Sequence, residues 1–156
     1  MANASATTSL PTAGFFRRLG AYIYDALMAI AIGMVATMLG LAAVAIGTNI
    51  GLITLPEGVE HSTYLVGQIW FQGLIWGSII MFYIWFWHNH GQTIGMRAWR
   101  LRVQNKDGSN ISYTQALIRL FTSALGVGNL MVIVTKDNTA FQDIWGRCQV
   151  VTLPKK

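Results

Sequence analysis

The chain has 156 residues, 53% of them hydrophobic and only 11% charged, with a net charge of +5 and a single cysteine, Cys148. A soluble domain carries about 25% charged residues, so the composition argues against a cytosolic globule; one cysteine rules out an intramolecular disulfide and a thiolate zinc site. All eleven basic residues avoid the stretch between Arg18 and Arg97, two preceding it and nine following it, which reads as a membrane topology signal rather than a nucleic-acid patch, with anionic lipid headgroups as the natural partner.

In chain order, residues 1–13 are small, polar and uncharged and are expected to form a disordered tail ahead of a single membrane domain over 14–153. Arg17-Arg18 directly before a long apolar stretch reads as a retained signal anchor, not a cleaved leader. Two charge-free apolar runs follow, Ala26–Gly47 and Leu65–Trp87, each at least 22 residues long, where about 20 helical residues cross a bilayer's hydrocarbon core. Helix one is expected over Gly14–Ala45. Its small residues Ala29, Gly33, Ala36 and Gly40 recur at spacings of three and four, a stripe that lets another helix approach closely. The loop Thr48–Tyr64 holds Glu57 and Glu60 and no basic residue, so it faces away from the cytoplasm and puts the N-terminus inside. Helix two is expected over Thr63–Trp87, with a GxxxG pair at Gly73 and Gly77 and with Gln68 and Gln72 one turn apart on a face turned toward protein. The aromatic cluster from Phe82 to Trp87 marks the return to the interface.

Beyond it the pattern changes. Apolar and polar residues alternate from Ala98 to Gln104, which predicts a short strand. Lys106-Asp107-Gly108-Ser109 predicts a turn, and Ser112-Tyr113-Thr114-Gln115 has the spacing of a capping box opening a helix from Tyr113 to about Leu125. The third apolar segment, Ala116–Thr135, is long enough to span, but it contains Arg119 and is interrupted at Gly126–Asn129. A straight crossing would carry Lys136, Arg147, Lys155 and Lys156 outside, against the positive-inside bias; a bent or re-entrant path keeps them inside and allows a strand at Cys148–Leu153 to pair with Trp99–Gln104. The expected fold is thus an all-α membrane protein: two transmembrane helices, a third helical segment that bends, re-enters or spans, and a small cytoplasmic β element.

The charged residues of interest are Arg18, Asp25, Arg119 and Asp143. Asp25 sits at the start of an apolar helix, where an acid is costly and marks a functional-site hypothesis. Arg18 lies seven residues earlier on the same face, about 10 Å away along the axis, so a third group is needed to bridge them. An Arg–Asp network at the inner interface is the simplest way to neutralise these groups. It could be a structural lock, because paired buried charges fix register and add little stability, or a site for handling protons or cations. His88-Asn89-His90 lacks a nearby carboxylate or thiol and reads as an interfacial cap on helix two, not a metal site. Gly91–Gly95 lacks the lysine and the βαβ context of a phosphate loop.

These segments together resemble the RDD family of bacterial membrane proteins: Arg18-x-x-Ala21-x-x-x-Asp25, Gly91-Gln92-Thr93-x-Gly95, Leu101-Arg102-Val103, Asp107-Gly108, Gln115-Ala116-Leu117-x-Arg119, and Gln142-Asp143 followed by Gln149-Val150-Val151. The resemblance covers about residues 13–153. It implies that Arg18 is the signature arginine and Asp25 and Asp143 the signature aspartates. It also implies a transport-related role, sodium/proton antiport being one activity associated with the family. Where many members run His-Asp-x-x-x-Gly-Thr, this chain runs Gln142-Asp143-Ile144-Trp145-Gly146-Arg147-Cys148. No catalytic constellation, cofactor site or metal site is expected. Two or three helices cannot enclose a permeation path, so the chain is expected to form a homo-oligomer or to join a partner membrane protein. The rival reading is a non-enzymatic accessory or scaffold subunit of a larger membrane complex in the bacterial inner membrane.

Overall fold

A computed structural model describes residues 10–123 and 128–155. The elements in order are α1 (Phe15–Asn49), α2 (His61–Val66), α3 (Ile69–His90), α4 (Ile94–Ala98), β1 (Leu101–Gln104), α5 (Tyr113–Thr122), α6 (Met131–Val134), α7 (Phe141–Trp145) and β2 (Gln149–Thr152). Helices α1 and α3 are long and apolar enough to cross a membrane, and only 17% and 11% of their most apolar stretches are buried. A helix that is hydrophobic all round needs an apolar surrounding; with so little protein cover, that surrounding is lipid.

The chain divides into two compact units, Ala26–Tyr83 and the remainder. In the first, Val44, Leu65 and Phe71 form a buried cluster with Leu41, Tyr64 and Ile75 packed on it. Gly40 is small because a Cβ there would come 3.1 Å from both Leu65 and Phe71. A Cβ at Gly33, Gly73 or Gly77 would meet nothing within 4 Å. The expected continuous helix over Thr63–Trp87 is not formed. It breaks at Gly67-Gln68, between α2 and α3. The break frees carbonyls of the last turn of α2, and the two glutamines answer them, although Gln72 is exposed and not turned toward protein as expected. Gln68 Nε2 donates to the Tyr64 carbonyl (3.4 Å) and Gln72 Nε2 to the Val66 carbonyl (3.2 Å).

In the second unit β1 and β2 pair antiparallel, with Leu101 opposite Thr152 and Gln104 opposite Gln149. The strand begins at Leu101 and not at Ala98, because Ala98 ends α4 and Arg100 turns with φ 56°. The capping box at α5 is complete: Ser112 Oγ accepts from Gln115 N (3.2 Å) and Gln115 Oε1 accepts from Ser112 N (2.9 Å). The turn at 106–108 is also present, with Asp107 Oδ1 accepting from Ser109 N at 3.0 Å.

The expected tail is not free along its whole length. Thr12 bridges Val151, the Ala13 N–H donates to Val150 O (2.9 Å), and Thr152 N–H donates to Pro11 O (2.8 Å). Residues 1–9 of that tail lie outside the described residues, as do Leu125 and Gly126. The described residues of 116–135 form the end of α5, a 3₁₀ turn at 128–130 and the four-residue α6, none of these long enough to span. The segment entering α1, the segment leaving α3 and the C-terminal strand are hydrogen-bonded together. A single straight crossing between β1 and β2 would separate the two strands, so the third apolar segment does not make one.

Candidate functional site

Asp143 stands in the first turn of α7, and its carboxylate is the centre of the polar core of the second unit. Oδ2 accepts from the Ala140 backbone N–H at 3.2 Å, capping the start of α7, and lies 2.7 Å from Nη1 of Arg18. Oδ1 is bound by Nη1 of Arg119. All three side chains are buried. Arg18 also ties down two backbone segments: its Nε donates to Ala13 O (2.9 Å) and its Nη2 to Asn138 O (3.0 Å). Arg119 reaches the site because α5 buries one face, with Ala116 and Arg119 three residues apart on it. Its guanidinium carbon lies 5.3 Å from the centroid of the Trp87 ring, a cation–π approach from α3, and Nη1 also contacts Cys148 Sγ at 3.5 Å.

Burial works to raise the pKa of the Asp143 carboxyl, but the Arg119 and Arg18 cations outweigh it and hold the group below the usual carboxylate range. Burial likewise works against the charge on Arg119, and Asp143 more than restores it, so its pKa ends raised. Burial pushes the Cys148 thiol up. The triad is therefore a locked ion cluster, with its carboxylate ionised at neutral pH.

Asp25 does not join it. The expected four-residue network divides, and Asp25 instead meets the Gly91–Gly95 segment. Thr93 Oγ1 donates to Asp25 Oδ2 (2.5 Å) and the Gly95 N–H donates to Oδ1 (2.8 Å). Thr93 Oγ1 also accepts from the Met96 N–H (3.2 Å), as the N-cap of α4. The glycines of this segment are explained by close approach. A Cβ on Gly95 would overlap the Ala21 carbonyl and the Asp25 carboxylate, and Gly91 has φ +66°, with Val103 O only 2.8 Å from where its Cβ would lie. Among the described residues Asp25 has two neutral hydrogen-bond donors and no ion pair.

A cleft of about 780 Å³ opens beside the triad, lined among others by Arg18, Lys106, Asp107, Asp137, Asp143 and Arg147. Two of its residues, Asn138 and Arg147, hold left-handed backbone (φ 51° and 49°), a conformation that Asn tolerates but that is costly for Arg. Position 147 is where the familiar pattern carries glycine, so the arginine here takes up a turn that glycine adopts freely. His88 donates from Nδ1 to Ile111 O (2.9 Å) and stacks on Tyr113 with centroids 3.8 Å apart, which docks the start of α5 on the end of α3. Among the described residues no group of three His, Cys, Asp or Glu side chains could hold a metal ion.

The partners that sequence reasoning missed are Thr93 and Gly95 for Asp25, and Trp87 and Cys148 for Arg119. Thr93 lies 68 residues from Asp25, beyond any local pattern. The signal available was the Gly-Gln-Thr-x-Gly spacing itself, a hydroxyl between two small residues. The RDD family model matches residues 12–147 of the chain, a span that contains the triad, Asp25 and the segment it binds. No curated protein and no solved structure matches it.

Proposed function

The chain belongs to the RDD family, and from that premise we propose that this membrane protein is transport-related, handling protons or cations in the bacterial inner membrane. The observation that carries the reading is Asp25. It is an acid on a membrane-crossing helix, and neutral donors alone hold it. Asp143, by contrast, is held by two cations. A carboxylate bound only by a hydroxyl and an amide can exchange a proton or a cation without breaking an ion pair. The locked triad then serves as the frame around which Asp25 works.

Two spans cannot enclose a path, so on this reading the working unit is an oligomer or a complex with a partner membrane protein, and the chain itself is not an enzyme. A second reading, an accessory subunit, is favoured by the open space at Gly33, Gly73 and Gly77, which leaves room for a neighbouring helix. The basic residues flanking α1 and α3 support a cytoplasmic N-terminus.

The test is proton-coupled cation flux in proteoliposomes holding the purified protein. Transport by Asp25 predicts measurable flux that Asp25→Asn abolishes while the melting temperature stays within a few degrees. No flux from a folded, purified assembly would favour the accessory subunit, and flux unaltered by the substitution would remove Asp25 from the mechanism.

A further inference from the structure

A second hollow, about 360 Å³, is walled by Arg17, Tyr24, Ala98, Trp99 and Arg100. Its construction is specific. The Trp99 ring fills the space that a Cβ on Gly20 would need, and it meets Tyr24 edge-on, with centroids 6.5 Å apart and planes at 85°. Arg100 is held in left-handed backbone (φ 56°). Its N–H donates to Arg97 O at 3.2 Å and its carbonyl accepts from Leu153 N–H at 2.8 Å. The chain beyond β2 thus pins Arg100 in a conformation that is unfavourable for a residue with a Cβ.

The charge of this hollow is uncompensated. Arg17 and Arg100 are exposed, neither has an ion pair among the described residues, and no acid lines the wall. The larger cleft beside the triad differs, because there Asp107 and Asp137 share the lining with Lys106 and Arg147. The turns of α1 that carry Arg17 and Tyr24 also expose Phe16 (81%), Leu19 and Ile23, a greasy surface on the same stretch of helix.

We propose that this hollow binds the headgroup phosphate of an anionic phospholipid, with Arg17 and Arg100 on the phosphate oxygens. Guanidinium groups match phosphate geometry with paired N–H donors. Tyr and Trp rings rest at headgroup level with one end wet and one end apolar. The apolar residues Phe16, Leu19 and Ile23 decide between a lipid and a free phosphate ion, since an ion has no use for them and an acyl chain does.

The experiment titrates detergent-purified full-length protein with phosphatidylglycerol and with phosphatidylcholine in mixed micelles, and repeats the phosphatidylglycerol titration in the presence of inorganic phosphate. Phosphatidylglycerol should bind several-fold more tightly than phosphatidylcholine, with inorganic phosphate competing only weakly. Arg17→Gln/Arg100→Gln should weaken phosphatidylglycerol about thirtyfold and Arg17→Gln alone about fivefold, if each basic group contributes its usual share. Lys106→Gln/Lys155→Gln removes the same charge from exposed positions outside the hollow and should leave the affinity within about twofold. The single variant keeps the test decisive if the double variant fails to fold. Equal affinity for the two lipids would overturn the proposal. So would full displacement by inorganic phosphate, an unchanged Arg17→Gln, or an equal loss in the lysine control.

Discussion

Asp143 receives two arginines and one backbone N–H, so its removal leaves two buried cations with no counter-charge. Asp143→Asn should cost about 3–5 kcal/mol, the range for breaking a buried pair by deleting one partner, and should be visible as a large drop in the melting temperature of a protein that still folds. The pH dependence follows from the sign of the shift. The folded Asp143 carboxyl titrates below its unfolded value, so its contribution is fully present above the unfolded pKa and is lost as pH falls through the folded one. The melting temperature should therefore hold steady from pH 7 to about pH 5 and fall below about pH 4, and Asp143→Asn should abolish that fall. Arg147 works in the other direction. Its left-handed backbone suits glycine, and Arg147→Gly should raise stability by about 0.5–1 kcal/mol, read as a small upward shift in the melting temperature. A decrease would mean that the side chain makes a contribution larger than the strain it brings.

Among the elements, the local ones were legible in the sequence and the interruptions were not. The capping box at Ser112 and Gln115 and the turn at Asp107-Gly108 are written in residues three or four apart, and both formed. The β1–β2 pairing was legible as well, because the alternation that ends at Gln104 marks one strand and a bent third segment brings Cys148–Leu153 back to it. The break between α2 and α3 was missed, although Gly67, Gln68 and Gln72 were all in view. Hydropathy sums over a window and cannot tell a continuous helix from two helices whose junction is patched by amide side chains. The patch can be checked: Gln72→Leu leaves the Val66 carbonyl without its side-chain donor and should destabilise the protein by about 0.5–1.5 kcal/mol despite increasing hydrophobicity. A gain in melting temperature would show that the carbonyl finds another donor. The site shows the same division. Arg18, Arg119 and Asp143 were recognisable as costly charges needing one another. The partner of Asp25 was not, because a threonine hydroxyl and a glycine amide carry no charge pattern and only the fold brings them to α1.

For the whole molecule, three separate stretches, residues 11–13, 101–104 and 149–152, meet in one hydrogen-bonded assembly, and Arg18 fastens the start of α1 to the loop at Asn138 beside it. Two crossings by α1 and α3 return the chain to the side from which it set out, which is what that assembly requires. The most direct measurement of this one-sided arrangement is labelling with a membrane-impermeant maleimide at cysteines introduced one at a time by Glu57→Cys, Asp107→Cys and Lys155→Cys, with the native Cys148 buried. In intact spheroplasts the account predicts that Glu57→Cys labels from outside, whereas Asp107→Cys and Lys155→Cys label only after the membrane is opened. Labelling of Asp107→Cys and Lys155→Cys from opposite sides would contradict it.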